Sequence, residues 1–158
     1  MHFFRVSLFS ILFVALSFLK ATAAGSYAVW ATGENFDGQL GDGTTTDRIS
    51  PAQVASGVAT VSAGGFHSLY LKTDGTLLAT GSNGNGQLGD GTTTSRSTPW
   101  QVASGVATVS AGLNHSLYLK TDGTLWAMGG NSDGQLGDGT TINRLSPVEV
   151  ASGVATVS

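Results

Sequence analysis

The chain has 158 residues, a length for one domain, with 23 glycines, 11% charged residues, 8% aromatics and no cysteine. Without cysteine, disulfides and thiolate metal sites are excluded. Beyond residue 24 the net charge is −5 and the basic residues Arg48, Lys72, Arg96, Lys120 and Arg144 stand apart from one another, which excludes nucleic acid as a partner, since that needs clustered Lys and Arg.

Residues 1–24 read as a secretory signal peptide. Arg5 precedes the apolar run Val6–Leu19, and small residues follow at Ala21 and Ala23 or at Thr22 and Ala24. Fourteen residues fall short of the roughly 20 that span a bilayer, so a cleaved leader is favoured over an anchor. The mature chain then begins near Gly25 and is expected in the secreted, periplasmic or cell-surface space, with no membrane attachment after cleavage.

The rest of the chain repeats itself. Val-Ala-Ser-Gly-Val-Ala-Thr-Val-Ser starts at Val54, Val102 and Val150, and Gly-Gln-Leu-Gly-Asp-Gly-Thr-Thr starts at Gly38, Gly86 and Gly134, each time 48 residues apart. Residues 54–101 and 102–149 differ at 13 of 48 positions without an insertion. The segments are a partial repeat at 25–53, two repeats at 54–101 and 102–149, and the start of another at 150–158. A period in the forties is that of a propeller blade.

Each unit reads as four short strands. The first is Val58–Gly64. The second, His67–Lys72, alternates Ser68, Tyr70 and Lys72 on one face with His67, Leu69 and Leu71 on the other, which predicts a half-buried strand. Asp74-Gly75 signals a tight hairpin into the third strand, Thr76–Gly81. The fourth follows a proline, as in Pro99–Val102. Proline lacks the ladder N–H and suits an edge or a strand start.

The Ala-Gly-x-x-His-Ser words at Ala63–Ser68 and Ala111–Ser116, together with Gly33–Gly43 and its counterparts from Gly81 and Gly129, resemble the RCC1 (regulator of chromosome condensation) repeat family. The resemblance covers nearly all of the chain beyond the leader. It implies an all-β fold of RCC1-type β-propeller repeats, usually seven blades. This chain carries about 2.8 units of 48 residues and is expected to be an incomplete propeller, a fragment of a longer array or a chain that self-associates through its open blade edges. The resemblance also implies a protein-interaction scaffold. Nucleotide exchange on a small GTPase, the activity of the family's founding member, would need a nuclear or cytoplasmic location and usually a basic tail; the sequence shows a leader and no such tail.

Three motifs could carry chemistry. The Asp37–Thr46 loop and its copies offer Asn131, Asp133 and Asp138 as calcium ligands, but one carboxylate becomes Asn85 in the second copy and no Glu closes the set. Turn chemistry accounts for the same residues, with Gly supplying positive φ and Asp or Asn bonding nearby backbone. As a phosphate cradle the loop lacks the Lys and the helix. His67 and His115 recur once per unit with no second ligand beside them, which points to imidazoles bonding the backbone of an adjacent turn or blade. Arg48, Arg96 and Arg144 recur three residues before a proline and read as planar donors capping a neighbouring loop. Trp30 and Trp126 occupy the family's Trp strand position, where Leu78 stands in the middle copy, and read as blade packing.

No catalytic set, metal site or cofactor is expected, and the chain is read as a non-enzyme. Residues that hold a blade should repeat, whereas residues that bind a partner need not. The changing positions, all but the Trp100 set assigned to loops or turns, give Phe36, Asp37, Phe66, Trp100 and Asn114 as partner contacts, with the aromatics as anchors. The expected function is a secreted scaffold that binds another protein. The alternative is a structural array within a larger surface protein.

Overall fold

The computed structural model describes residues 27–157, so the leader expected at 1–24 lies outside the described residues. Nine strands and no helix make up the described residues: β1 (Tyr27–Gly33), β2 (Arg48–Ala63), β3 (His67–Lys72), β4 (Leu77–Gly81), β5 (Arg96–Ala103), β6 (Val106–Ala111), β7 (His115–Lys120), β8 (Leu125–Gly129) and β9 (Arg144–Ala151). All pairings are antiparallel. The orders are β1-β2-β3-β4-β5 and β6-β7-β8-β9.

The first sheet holds parts of two blades. The N-terminal half of β2 pairs with β1, and its C-terminal half, from Val58, pairs with β3. The switch falls at Gly57, whose φ of +70° is matched by Gly105 and Gly153 at the same place in the following units. The chain therefore shows the last two strands of one blade, four strands of a second (the end of β2, β3, β4, β5) and four of a third (β6 to β9).

The hairpin expected at Asp74-Gly75 is present. Gly75 N donates to Lys72 O at 3.0 Å with Gly75 left-handed, and Thr76 N is held by Asp74 Oδ1 at 2.9 Å. Two strand expectations change. The fourth strand begins at the arginine, three residues before the proline, and forms the blade's outer edge. Ile49-Ser50, Ser97-Thr98 and Leu145-Ser146, which belong to the changing positions assigned to loops or turns, consequently lie in strands.

The second strand of the middle blade is also not half-buried, whereas in β7 His115 and Leu117 are only partly buried. In β3, His67 to Leu71 are all buried, because a blade is covered on both faces by its neighbours. One face is polar yet satisfied: Ser68 Oγ donates to Gln39 O at 2.8 Å and Tyr70 Oη to Leu40 O at 3.1 Å, both in the loop of the preceding unit. The opposite face is apolar apart from His67. Leu69, Leu71, Leu77 and Ala79 pack with Leu88 and with Val106, Tyr118 and Met128 of the following blade. The core thus lies between blades.

Candidate functional site

The blades have two ends. The turn end carries the Asp74-Gly75 and Asp122-Gly123 hairpins. The loop end carries the long connections between third and fourth strands (34–47, 82–95, 130–143) and the short connections at 64–66 and 112–114.

Each long loop is built around a buried asparagine. Asn35, Asn83 and Asn131 are fully buried. Asn83 Nδ2 donates to Asp90 Oδ1 at 2.9 Å, Thr92 O at 3.0 Å and Thr94 O at 3.2 Å, while its Oδ1 accepts from Leu88 N at 2.9 Å. The same bonds recur around Asn35 and Asn131. The aspartate seven residues on takes further bonds from the following threonine and an ion pair from its own unit's arginine: Asp42 with Arg48 at 2.6 Å, Asp90 with Arg96 at 2.6 Å, Asp138 with Arg144 at 2.5 Å. Burial raises these carboxyls, but donors from threonine, arginine and asparagine outweigh it and bring Asp42 and Asp90 down to about 2. Asp138 is lowered in the same way.

These bonds decide what the loop can do. The oxygens proposed as calcium ligands at Asn131 and Asp138 are engaged by the loop's own donors, and Asp133 is exposed. Among the described residues no group of three His, Asp or Glu could hold a metal ion. The arginines cap their own loop rather than a neighbouring one. Sequence reasoning met the asparagine only as a calcium-ligand candidate and overlooked the glutamine of each unit, Gln39, Gln87 and Gln135, whose Oε1 accepts the backbone N–H of residue 37, 85 or 133. Their strict recurrence was the available signal.

The loop also docks forward onto the next blade. Gly43 N donates to Ser97 O at 2.9 Å, and Gly91 N to Leu145 O at 2.9 Å. Gly89 shows how close the approach is: a Cβ there would collide with Met128 Sδ and come within 3.2 Å of Pro147.

His67 is structural, by another route than expected. Its Nε2 meets Ser116 Oγ of the next blade at 2.8 Å, and Ser116 Oγ donates in turn to Gln87 O at 2.8 Å. The serine spends its one proton on Gln87, so it accepts from Nε2–H, and Nδ1 is left unprotonated and without a partner. Burial, with a smaller contribution from His115, lowers the imidazole to about 4.

Four of the five expected partner contacts share the loop end. Phe36 and Asp37 sit in the first long loop. Phe66 precedes β3, and its carbonyl accepts from Ser82 N at 2.8 Å. Gly81 lies against both Phe66 O and Gln39 Cα, which brings the loop of one unit to the short connection of the next. One unit on, Asn114 O accepts from Gly130 N at 2.7 Å, and a Cβ on Gly130 would lie 3.5 Å from Asn114 Cβ and 3.7 Å from Asn85 Cβ. Trp100 stands apart, on outer strand β5 opposite Ala79, with the Arg96 guanidinium 4.5 Å from its ring centroid. Trp126, read as packing, stacks on Tyr118 at 6.2 Å under Lys120.

The repeat description "Regulator of chromosome condensation (RCC1) repeat" matches residues 28–71, 74–119 and 122–157, and a second form of it matches 58–87 and 106–135. Similar solved structures include yeast RCC1 (Prp20) bound to Kap60, at 22% identity over 77% of this chain and 33% of that one, TM-score 0.67. Human WBSCR16 is 23% identical over 78% and 35%, TM-score 0.65. Prp20p from Saccharomyces cerevisiae, described with its binding to Gsp1p and histones, is 24% identical over 78% and 34%, TM-score 0.62. The chain spans about a third of the length of these proteins. Among curated proteins nothing matches it. The chain belongs to the RCC1 repeat family, and its described residues form blades of that all-β propeller.

Proposed function

We propose that this protein is a secreted, non-catalytic scaffold that binds another protein. The observation that carries the reading is a division of labour in the sequence. Residues constant between units form the interior hubs and the side-chain bonds of His67, Ser68, Tyr70 and Ser116 between blades, whereas Phe36, Asp37, Phe66 and Asn114 vary between units and come to one end of the blades. Variable loop residues on a rigid β scaffold are where partners are bound. Protein partners in general also accord with the family: the yeast relative is bound to Kap60, and Prp20p is described with Gsp1p and histones. Export rests on the leader-like residues 1–24.

The test is a crosslinked pull-down with the tagged full chain, expressed in a host that exports it. One protein enriched reproducibly from the extracellular or periplasmic fraction is the expected result. Repeated recovery of none, or retention of the chain inside the cell, would sink the reading.

A further inference from the structure

The charges of the described residues cancel everywhere but in a few places. Asp42, Asp90 and Asp138 neutralise Arg48, Arg96 and Arg144 within each loop. At the turn end Lys72 and Lys120 are matched by Asp74 and Asp122, each two residues further on. Of the net −5, Glu149 lies on β9, and the other four charges, Glu34, Asp37, Asp47 and Asp133, are all in the long loops of the loop end.

The same end carries exposed apolar side chains. Phe36 is 79% exposed, Phe66 37% and Leu113 58%. They follow one another along the blades. Leu113 backs onto Gly65, whose N–H donates to Leu113 O at 3.2 Å; Phe66 is the next residue; and Phe66 O meets Gly81, which also touches the loop of Phe36. Exposed apolar side chains set among uncompensated carboxylates fit a partner that supplies apolar and cationic groups together. Nucleic acid lacks the cations and would be repelled.

We infer that the row Phe36–Phe66–Leu113, flanked by Glu34, Asp37 and Asp133, is the docking surface for a basic, apolar-rich protein segment. This rests on the scaffold reading and adds the face and the chemistry of the partner. The aromatic rings supply the anchors, and the carboxylates set orientation and speed encounter.

The test uses the full chain and three labelled synthetic peptides, one alternating lysine and leucine, one of lysine alone and one alternating glutamate and leucine, followed by fluorescence anisotropy and amide chemical shifts. The lysine–leucine peptide should bind at least roughly tenfold more tightly than lysine alone, and the glutamate–leucine peptide should not bind, given an apolar anchor and an acidic flank. Shifts should fall on 34–37, 64–66, 112–114 and 130–133. Phe36→Ser and Asp37→Lys, both surface changes, should each weaken binding by roughly tenfold or more, and added salt should weaken it further. Asp74→Asn at the turn end should leave it unchanged. Shifts confined to the turn end, or affinity indifferent to both loop-end changes, would overturn the assignment. So would concentration-dependent self-association that Phe36→Ser abolishes, because the row would then belong to a second copy of the chain. A pull-down partner whose capture survives both changes would leave the scaffold reading standing and remove this surface from it.

Discussion

His67 Nε2 and Ser116 Oγ, on consecutive blades, lie 2.8 Å apart, and the serine passes the bond on to Gln87 O. Nε2–H can donate to the serine from a neutral or a charged ring, but the buried site favours the neutral one, because a proton on Nδ1 would find no acceptor. The unfolded imidazole takes up its proton near 6.5, the folded one near 4. Between those values the unfolded chain holds more protons, so stability rises with pH. The stabilisation is complete above about pH 6.5 and is lost as pH falls toward 4, by roughly 2–3 kcal/mol. Urea midpoints measured across this window should fall accordingly. In His67→Gln most of that slope should vanish, with His115, also lowered by burial, retaining a smaller share.

A second acid-sensitive window lies lower. Asp42 and Asp90 have folded values of about 2 against an ordinary 3.8. Their contribution is fully present above the ordinary value and disappears as pH falls through about 2. Asp90→Asn should remove part of this limb and cost about 1–3 kcal/mol at neutral pH, since buried donors lose a charged acceptor. Acid titration of wild type and variant by circular dichroism checks both points.

The asparagine hub predicts a contrast within one loop. Asn83→Ala strips the acceptor from Leu88 N and the donor from Asp90, Thr92 O and Thr94 O, in a fully buried place. A loss of about 3 kcal/mol or more in urea unfolding is expected. Gly84, on the same loop, is exposed with nothing within 4 Å of an added Cβ, and Gly84→Ser should change stability by no more than about 0.5 kcal/mol.

Leu78 faces Tyr70 across β3–β4 as Trp126 faces Tyr118 across β7–β8. The second pair stacks with ring planes 4° apart, and the indole N–H donates to Thr124 Oγ1 at 2.9 Å. Leu78→Trp should rebuild that arrangement over Tyr70 and stabilise the middle blade by about 0.5–1.5 kcal/mol. A double-mutant cycle with Tyr70→Leu isolates the ring–ring share.

Much of the fold was legible in the sequence because repetition exposes it. Three copies of one loop and the Asp-Gly hairpins fixed the strand pattern and the period. The interior polar residues were harder to read. Ser68 and Tyr70 alternate with leucines as a solvent-facing row would, and only the loop of the preceding unit, 30 residues away for Tyr70 and Leu40, makes them buried donors. Asn131 and Asp138 look like cation ligands until the fold turns one into the other's donor. Arg144 reaches six residues back to that same aspartate, a distance in sequence that says nothing of contact until the loop closes. For the candidate partner contacts, variability selected the positions, and topology then separated Trp100 on its outer strand from the other four.

The forward reach of the loops gives the array a direction. Gln39 O and Leu40 O wait for Ser68 and Tyr70, and Gln87 O waits for Ser116, residues that are always about 30 positions later in the chain. On the ribosome, which releases the N-terminus first, each newly emerged loop has open carbonyls until the second strand of the following unit appears. Maturation therefore trails synthesis by most of a repeat, and each blade is finished by its successor.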